Sequence, residues 1–274
     1  MLARDPHRFI NELDEAAVER LVGRLESRAK DAVFTALFDK YANALALPAH
    51  AKVLEAGCGT GAMLRRLARR DDFRARALGV DHCPAFVEAA ARFARAEGIS
   101  DRVSFRVGDA HALAIDDESY DAVIAHTLIS HVSDPRQVLL ELARIVRRGG
   151  KLVVFDGDYA SMTFAHEDQA YGRQMDAALV NASFNNPTIM REMARLLPLV
   201  GMKLVQAWGD AVVEVGHASY FRSFIETYAP YVTKAGLAPA DAVEAWLDAQ
   251  RAYMDRGTFF GACNYYTFIA TRSP

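Results

Sequence analysis

An α/β fold, built as a doubly wound and mostly parallel sheet of seven strands with helical cap insertions, is what this sequence predicts. Three observations carry it. Apolar runs of strand length alternate with segments of helical periodicity from residue 51 to residue 155. Gly57, Gly59 and Gly61 stand between the first strand and the next helix, where a chain must turn tightly and let a ligand approach its backbone. The 51% hydrophobic composition of the 274 residues is ample for a sizeable core. Strand and helix in alternation argue for parallel pairing.

Taken in order, residues 13–46 read as helical. Leu13, Ala17, Leu21 and Leu25, then Val33, Leu37, Phe38, Tyr41 and Leu45, return at three- and four-residue steps, with Asp14 placed to cap them. Leu47-Pro48 ends this region, and residues 51–56 are the first strand. Residues 77–81 are the second, followed by a helix from Pro84 that Gly98 closes. Residues 103–107 alternate as a third strand and 121–125 form a fourth; a helix over 135–146 then stops at Gly149-Gly150, and 151–155 is a fifth.

Beyond Asp156 the rhythm changes. Residues 169–184 and 188–197 read as helices, and 201–216 hold a sixth strand. A helical block over 219–256, broken at Pro230 and Pro239, precedes a last strand at 263–271. The sheet does not need these helices. The chain therefore divides into an N-terminal helical cap, residues 1–47, and a core, residues 48–274, whose insertions at about 160–186 and 219–256 belong to a substrate cover.

Charge and cysteine content narrow the class. A net charge of −3 and a pI near 6.2 give no general attraction for nucleic acid or an anionic membrane. Arg65, Arg66, Arg69 and Arg70 read as a solvated helix face. Arg4, Asp5, His7 and Arg8 interrupt any signal-peptide core, and no run reaches the roughly 18 apolar residues of a bilayer span. Cys58, Cys83 and Cys263 are odd in number and lack C-x-x-C spacing, so neither a disulfide framework nor a metal site is expected. A cytoplasmic protein is the expectation.

Gly57-Cys58-Gly59-Thr60-Gly61-Ala62 satisfies the dinucleotide pattern G-x-G-x-x-G/A, and Asp81 lies about 20 residues on. Alone, that match leaves a nicotinamide cofactor open. The crowded G-x-G-x-G form, Glu55 two positions before Gly57, and the later Gly108-Asp109-Ala110 together resemble the S-adenosylmethionine site of class I methyltransferases, in particular their small-molecule, UbiE-like or type 11 group. Residues 120–135 resemble the family's fourth-strand motif, and residues 147–152 its approach to the fifth strand. The resemblance covers about residues 48–158 closely and is architectural beyond them.

What it implies is a Rossmann-like sheet, S-adenosyl-L-methionine as cofactor, and a set of roles. The backbone of Gly57, Cys58, Gly59 and Gly61, with the positive end of the next helix, would receive the cofactor carboxylate. Glu55 would accept from its ammonium and Asp81 from the ribose hydroxyls, helix capping being the rival reading of Asp81. Asp109 and the Ala110 N–H would face the adenine amine and a ring nitrogen. His82 stands against the adenine face, where relatives usually carry an aliphatic side chain. His126 occupies a position where many relatives carry Asn or another small polar residue, so it either lines the methyl-donor pocket or acts as a base. His131 matches a histidine common in the family, with loop bracing and base catalysis as its alternatives. A neutral histidine can take a proton near neutral pH if the acceptor has one to lose. His126 and His131 are five residues apart and no third ligand is evident, so no catalytic metal is expected.

Phe34, Phe38, Tyr41, Asp158, Tyr159, His166, Asn181 and Tyr228 are further pocket candidates. Tyr220, Phe221, Phe224, Tyr231, Trp246 and Tyr253 are core by default, although some must face the cleft if their block is a lid. The expected activity is methyl transfer to a small, apolar or aromatic metabolite, of the kind found in secondary metabolism. The alternative keeps fold and cofactor without methyl transfer, as a cyclase, decarboxylase, sensor or partner subunit; a nicotinamide oxidoreductase comes last. The expected partner is a small molecule, neither nucleic acid nor membrane, with a homodimer left open.

Overall fold

A computed structural model describes residues 5–273. After a 3-10 turn at Ile10–Glu12 come two capped helices. In α1 (Glu15–Lys30) the Asp14 side chain accepts from the Ala17 N–H at 2.7 Å, and in α2 (Ala32–Leu45) Asp31 accepts from the Val33 N–H at 2.9 Å. The single helical region expected over 13–46 is thus two helices, because Asp31 adopts extended backbone angles to cap the second.

The alternating half follows as β1 (Val53–Ala56), α3 (Ala62–Ala68), β2 (Ala77–Asp81), α4 (Pro84–Ala96), β3 (Val103–Val107), β4 (Tyr120–His126), α5 (Pro135–Ile145) and β5 (Val146–Phe164). Each of these strands agrees in place with the periodicity. The fifth is much longer than expected. Its acidic residues looked like a strand end, but each is satisfied in place: Asp156 accepts from the Ser130 N–H and hydroxyl at 3.0 and 3.1 Å, and both carboxylate oxygens of Asp158 share the one Arg191 Nε–H, at 3.1 and 3.0 Å.

The second half contains α6 (Gln169–Ser183), a 3-10 turn at Ile189–Glu192 leading into α7 (Met193–Leu199), β6 (Met202–Gly216), α8 (Tyr220–Lys234), α9 (Ala240–Asp255) and β7 (Phe259–Arg272). Pro230 does not break the helical block. It lies inside α8, where Ile225, Tyr228, Ala229, Tyr231 and Val232 are all buried, and packing on both sides of the proline outweighs one missing N–H. In the same layer Trp246 of α9 is fully buried edge-on against Phe164, with ring centroids 5.4 Å apart.

The sheet order is β3-β2-β1-β4-β5-β7-β6. The first five strands run parallel, and β7 is antiparallel to both β5 and β6. Strand order reverses between β1 and β4, and open α/β sheets bind their ligands at the carboxyl edge of such a point. Register puts the relevant residues along that one rim: Ala56 stands beside Val80 and Ala125, Asp81 beside Val107, and His126 beside Phe155. Across it α1 packs against α8, and α8 against α6 and α9. No helix among the described residues is long and apolar enough to cross a membrane.

Candidate active site

At that rim lies one cavity of about 460 Å³. Its floor is the loop after β1. Gly57 has φ +65°, and a Cβ there would meet Leu128 Cδ1 at 2.5 Å; Gly61 has φ +70°, and a Cβ would meet the Phe105 ring at 2.3 Å. Only glycine fits either place. Gly57, Cys58 and Gly59 line the cavity, whereas Gly61, expected among the binding residues, does not. Gly61 shapes the turn instead, packed on Phe105. Cys58 is buried with its thiol pushed well above the usual range, so it is wall and not nucleophile.

Glu55 and Asp81 are the buried acids of this end. Burial, with Asp81 adding to it, pushes Glu55 up to about 8. Its Oε2 has no hydrogen-bond partner. Such an orphaned acceptor lining a cavity fits a cationic ligand group, and the ammonium of S-adenosylmethionine is one. Asp81 accepts from the Gly59 N–H at 2.8 Å and the Cys83 N–H at 2.9 Å. It therefore braces the glycine loop and still has lone pairs free, since an ionised carboxylate offers about four acceptor sites. Burial nevertheless raises it above the ordinary carboxylate range.

His82, Asp109 and Ala110 line the same end. Asp109 is exposed and accepts from the His111 N–H at 2.9 Å, with His111 Nδ1 at 2.7 Å; these bonds hold it below its usual range despite some burial. His111, which sequence reasoning missed, also contacts the Ser133 hydroxyl at 3.0 Å and so ties the loop after β3 to the loop after β4.

The opposite end is aromatic and basic. Phe34, Tyr159, Phe184, Tyr220, Phe224 and Tyr228 line it. Of the other candidates, Phe38, Tyr41, Asp158, His166 and Asn181 do not reach the cavity. Tyr41 acts one step back, through a 2.9 Å hydrogen bond to His126 Nδ1. Arg28 Nη2 lies 3.0 Å from His126 Nε2, and Arg28 Nη1 donates to Thr127 Oγ1 at 3.1 Å. An arginine can only donate, so Nε2 is the acceptor and Nδ1 carries the proton toward Tyr41. Burial, and then Arg28, hold His126 well below the ordinary histidine value. Both ring nitrogens are engaged, and its face stacks on Phe155 at 4.6 Å.

His131 differs. Its Nδ1 is 2.7 Å from Asp5 Oδ2, and although burial opposes it, the charge and hydrogen bond of Asp5 raise its pKa above the ordinary value. His7 lies against it with ring centroids 4.7 Å apart and reaches the Tyr228 hydroxyl at 2.6 Å. The segment carrying Asp5 and His7 is pinned across the cavity: Arg8 donates to Asn185 Oδ1 at 2.9 Å and Asn11 to the His82 carbonyl at 3.2 Å. Sequence reading used this segment only to reject a signal peptide. It also passed over Arg24 and Arg28, although with Leu21 and Leu25 they occupy one stripe of α1, and two charges on a buried stripe were the available signal.

Residues 54–154 match the model of a methyltransferase domain family. Over its whole length the chain is 29% identical to an uncharacterised 37.1 kDa protein of transposon TN4556 from Streptomyces fradiae, covering 79% of that protein. It is 38% identical to methyltransferase GfsG of Streptomyces halstedii over 105 residues, which are 38% of this chain and 37% of that one. This and the other named methyltransferase relatives thus share a core and less than half of their own length. Among solved structures, the [4+2]-cyclase SpnF matches 88% of the chain and 82% of its own with a TM-score of 0.59 and 22% identity, a likeness of fold alone.

Proposed function

We propose, for a chain that belongs to the class I S-adenosylmethionine-dependent methyltransferases, that it methylates a small aromatic or apolar metabolite at an oxygen or nitrogen that must lose a proton. One observation carries the reading: a single cavity joins the glycine loop with its two buried acids to an aromatic chamber lined by His131, whose Nδ1 is held by Asp5. When bound, the cofactor supplies a methyl group on a positively charged sulfur. The chain's own residues then have three tasks.

Glu55 offers its unpartnered oxygen to the cofactor ammonium, Asp81 its remaining lone pairs to the ribose, and Asp109 with the Ala110 N–H the adenine contacts. The aromatic walls hold the acceptor and exclude water, so that orientation does much of the work. His131 takes the acceptor proton on Nε2. Asp5 fixes its tautomer and steadies the imidazolium that forms, the part a carboxylate plays behind a catalytic histidine. His126 lines the chamber, since its only lone pair is already held by Arg28.

Methyl-labelled cofactor incubated with hydroxylated and amino-bearing aromatics tests the activity; binding of the cofactor with no label transferred would favour the cyclase-like alternative. His131→Asn is expected to lower turnover about 10² or more with affinity for S-adenosylhomocysteine unchanged, whereas His126→Asn retains most turnover. Turnover should rise with pH through the raised pKa of His131, above 6.5, as the ring becomes neutral, and Asp5→Asn should move that limb toward lower pH. Unaltered turnover in His131→Asn would exclude it as the base.

A further inference from the structure

We infer that the aromatic end of the cavity contains an anion subsite in which Arg24 binds a carboxylate or phosphate group carried by the acceptor; calling that ligand the acceptor rests on the methyltransferase reading above. Arg24 is only 5% exposed and lines the cavity, yet its Nε and Nη1 have no hydrogen-bond partner. Among the described residues it forms no ion pair. The contrast with Arg65 is direct: that side chain is equally buried and is held by both Glu26, at 2.5 Å, and Glu97. Arg28, one turn along, spends both terminal nitrogens on Thr127 and His126.

A guanidinium keeps its charge when buried and is costly there without hydrogen-bonding partners. Two rings hold this one in place, its Cζ lying 4.5 Å from the Tyr220 ring centroid and 5.7 Å from that of Phe224. They stabilise the cation through their faces and fix its plane, but they leave its N–H groups unfilled. Asp5, the acid that pairs with His131 of the same cavity, is already committed to the His7 N–H, the Asn185 N–H and His131. A planar oxyanion answers the open fork with paired, charge-assisted hydrogen bonds.

The cofactor also has a carboxylate, and position separates the two sources. From α1 it is Leu25 that approaches the glycine loop, 3.0 Å from where a Cβ of Gly59 would stand. Arg24 turns instead to the α8 aromatics, on the acceptor's side.

Calorimetric titration of protein saturated with S-adenosylhomocysteine, using para-hydroxybenzoate and phenyl phosphate against neutral para-hydroxybenzamide, tests the subsite. The wild type is expected to bind the anions at least about ten-fold more tightly than the amide. Arg24→Gln should erase that preference while its affinity for S-adenosylhomocysteine stays within about two-fold of wild type. No anion preference in the wild type, or a preference surviving in Arg24→Gln, overturns the subsite. So does a loss of S-adenosylhomocysteine affinity in Arg24→Gln with the preference retained, which would assign Arg24 to the cofactor carboxylate. Should Arg24→Gln fail to fold, Arg24→Lys keeps the charge without the fork; anion binding weakened several-fold with amide binding unchanged supports the proposal, and unchanged anion binding sinks it. Because the measurement is of binding, an anion preference without methyl transfer to any acceptor would leave the subsite standing and remove only the methyltransferase reading.

Discussion

Glu55 shows how one side chain can couple ligand binding to pH. Its carboxyl is pushed up to about 8 in the folded protein, against an ordinary value of 4.5. As pH rises from the lower value toward the higher, the unfolded chain ionises and the folded one stays protonated, so stability falls across that window and levels off above it. A cationic ligand group reverses the preference, and binding at neutral pH expels the proton. The affinity for S-adenosylhomocysteine should therefore climb by up to about ten-fold per pH unit until about pH 8. Glu55→Gln should bind more weakly and nearly independently of pH over that range; a flat profile in the wild type would refute the ammonium contact. The motif made Glu55 legible as an acid near the glycines. That its Oε2 stands without a partner was not legible, because burial and the placement of donors are properties of the folded neighbourhood.

At the scale of elements, the cavity is walled by segments distant in sequence: residues 7–8, α1 and α8 on one side, and the loops after β1, β2, β3 and β4 on the other. We propose that α1 and α8 with the Asp5 segment move as one cover. Hydrogen exchange in α1 and α8 should slow when S-adenosylhomocysteine and an acceptor bind together, and protection confined to the glycine loop would count against it. Periodicity located both helices and their apolar faces. It could not say that Arg24 and Arg28 turn inward, because helical spacing treats a charge as solvent-facing until an aromatic partner such as Tyr220 is seen beneath it. Pro230 misled for a related reason: its local cost is real, but tertiary packing along α8 exceeds it.

For the molecule as a whole, the parallel half of the sheet was the most readable part. Its strands are short apolar runs separated by glycine and proline signals, and β1 is buried because helices cover both of its faces, Val53 clustering with Leu64 and Leu67 of α3, and Leu54 and Ala56 with Val138 and Leu139 of α5. The antiparallel half was less so. β6 falls where it was expected, but β5 and β7 extend past their expected spans, since long ladders sustain polar residues such as Asp156 and Asn264 that no local rule would put in a strand. The cavity itself was legible as a rim, from Asp81, Asp109 and His126 falling at strand ends, and in part as an aromatic wall, from Phe34, Tyr159 and Tyr228. Its second half needed the Asp5 segment to fold back 126 residues in sequence onto His131.

The burial of Trp246 against Phe164 has an optical consequence. The chain's two tryptophans, Trp208 on β6 and Trp246 on α9, both lie outside the cavity lining, whereas Tyr159, Tyr220 and Tyr228 are within it. Indole emission is thus spatially separated from any bound ligand. S-adenosylhomocysteine alone should leave the tryptophan spectrum almost unchanged, while urea should shift it to the red as Trp246 meets water. A spectral change that appears only when an acceptor joins the cofactor product would then register α9 shifting with α8, giving a dye-free signal for the cover's movement that can be followed in a stopped-flow cell.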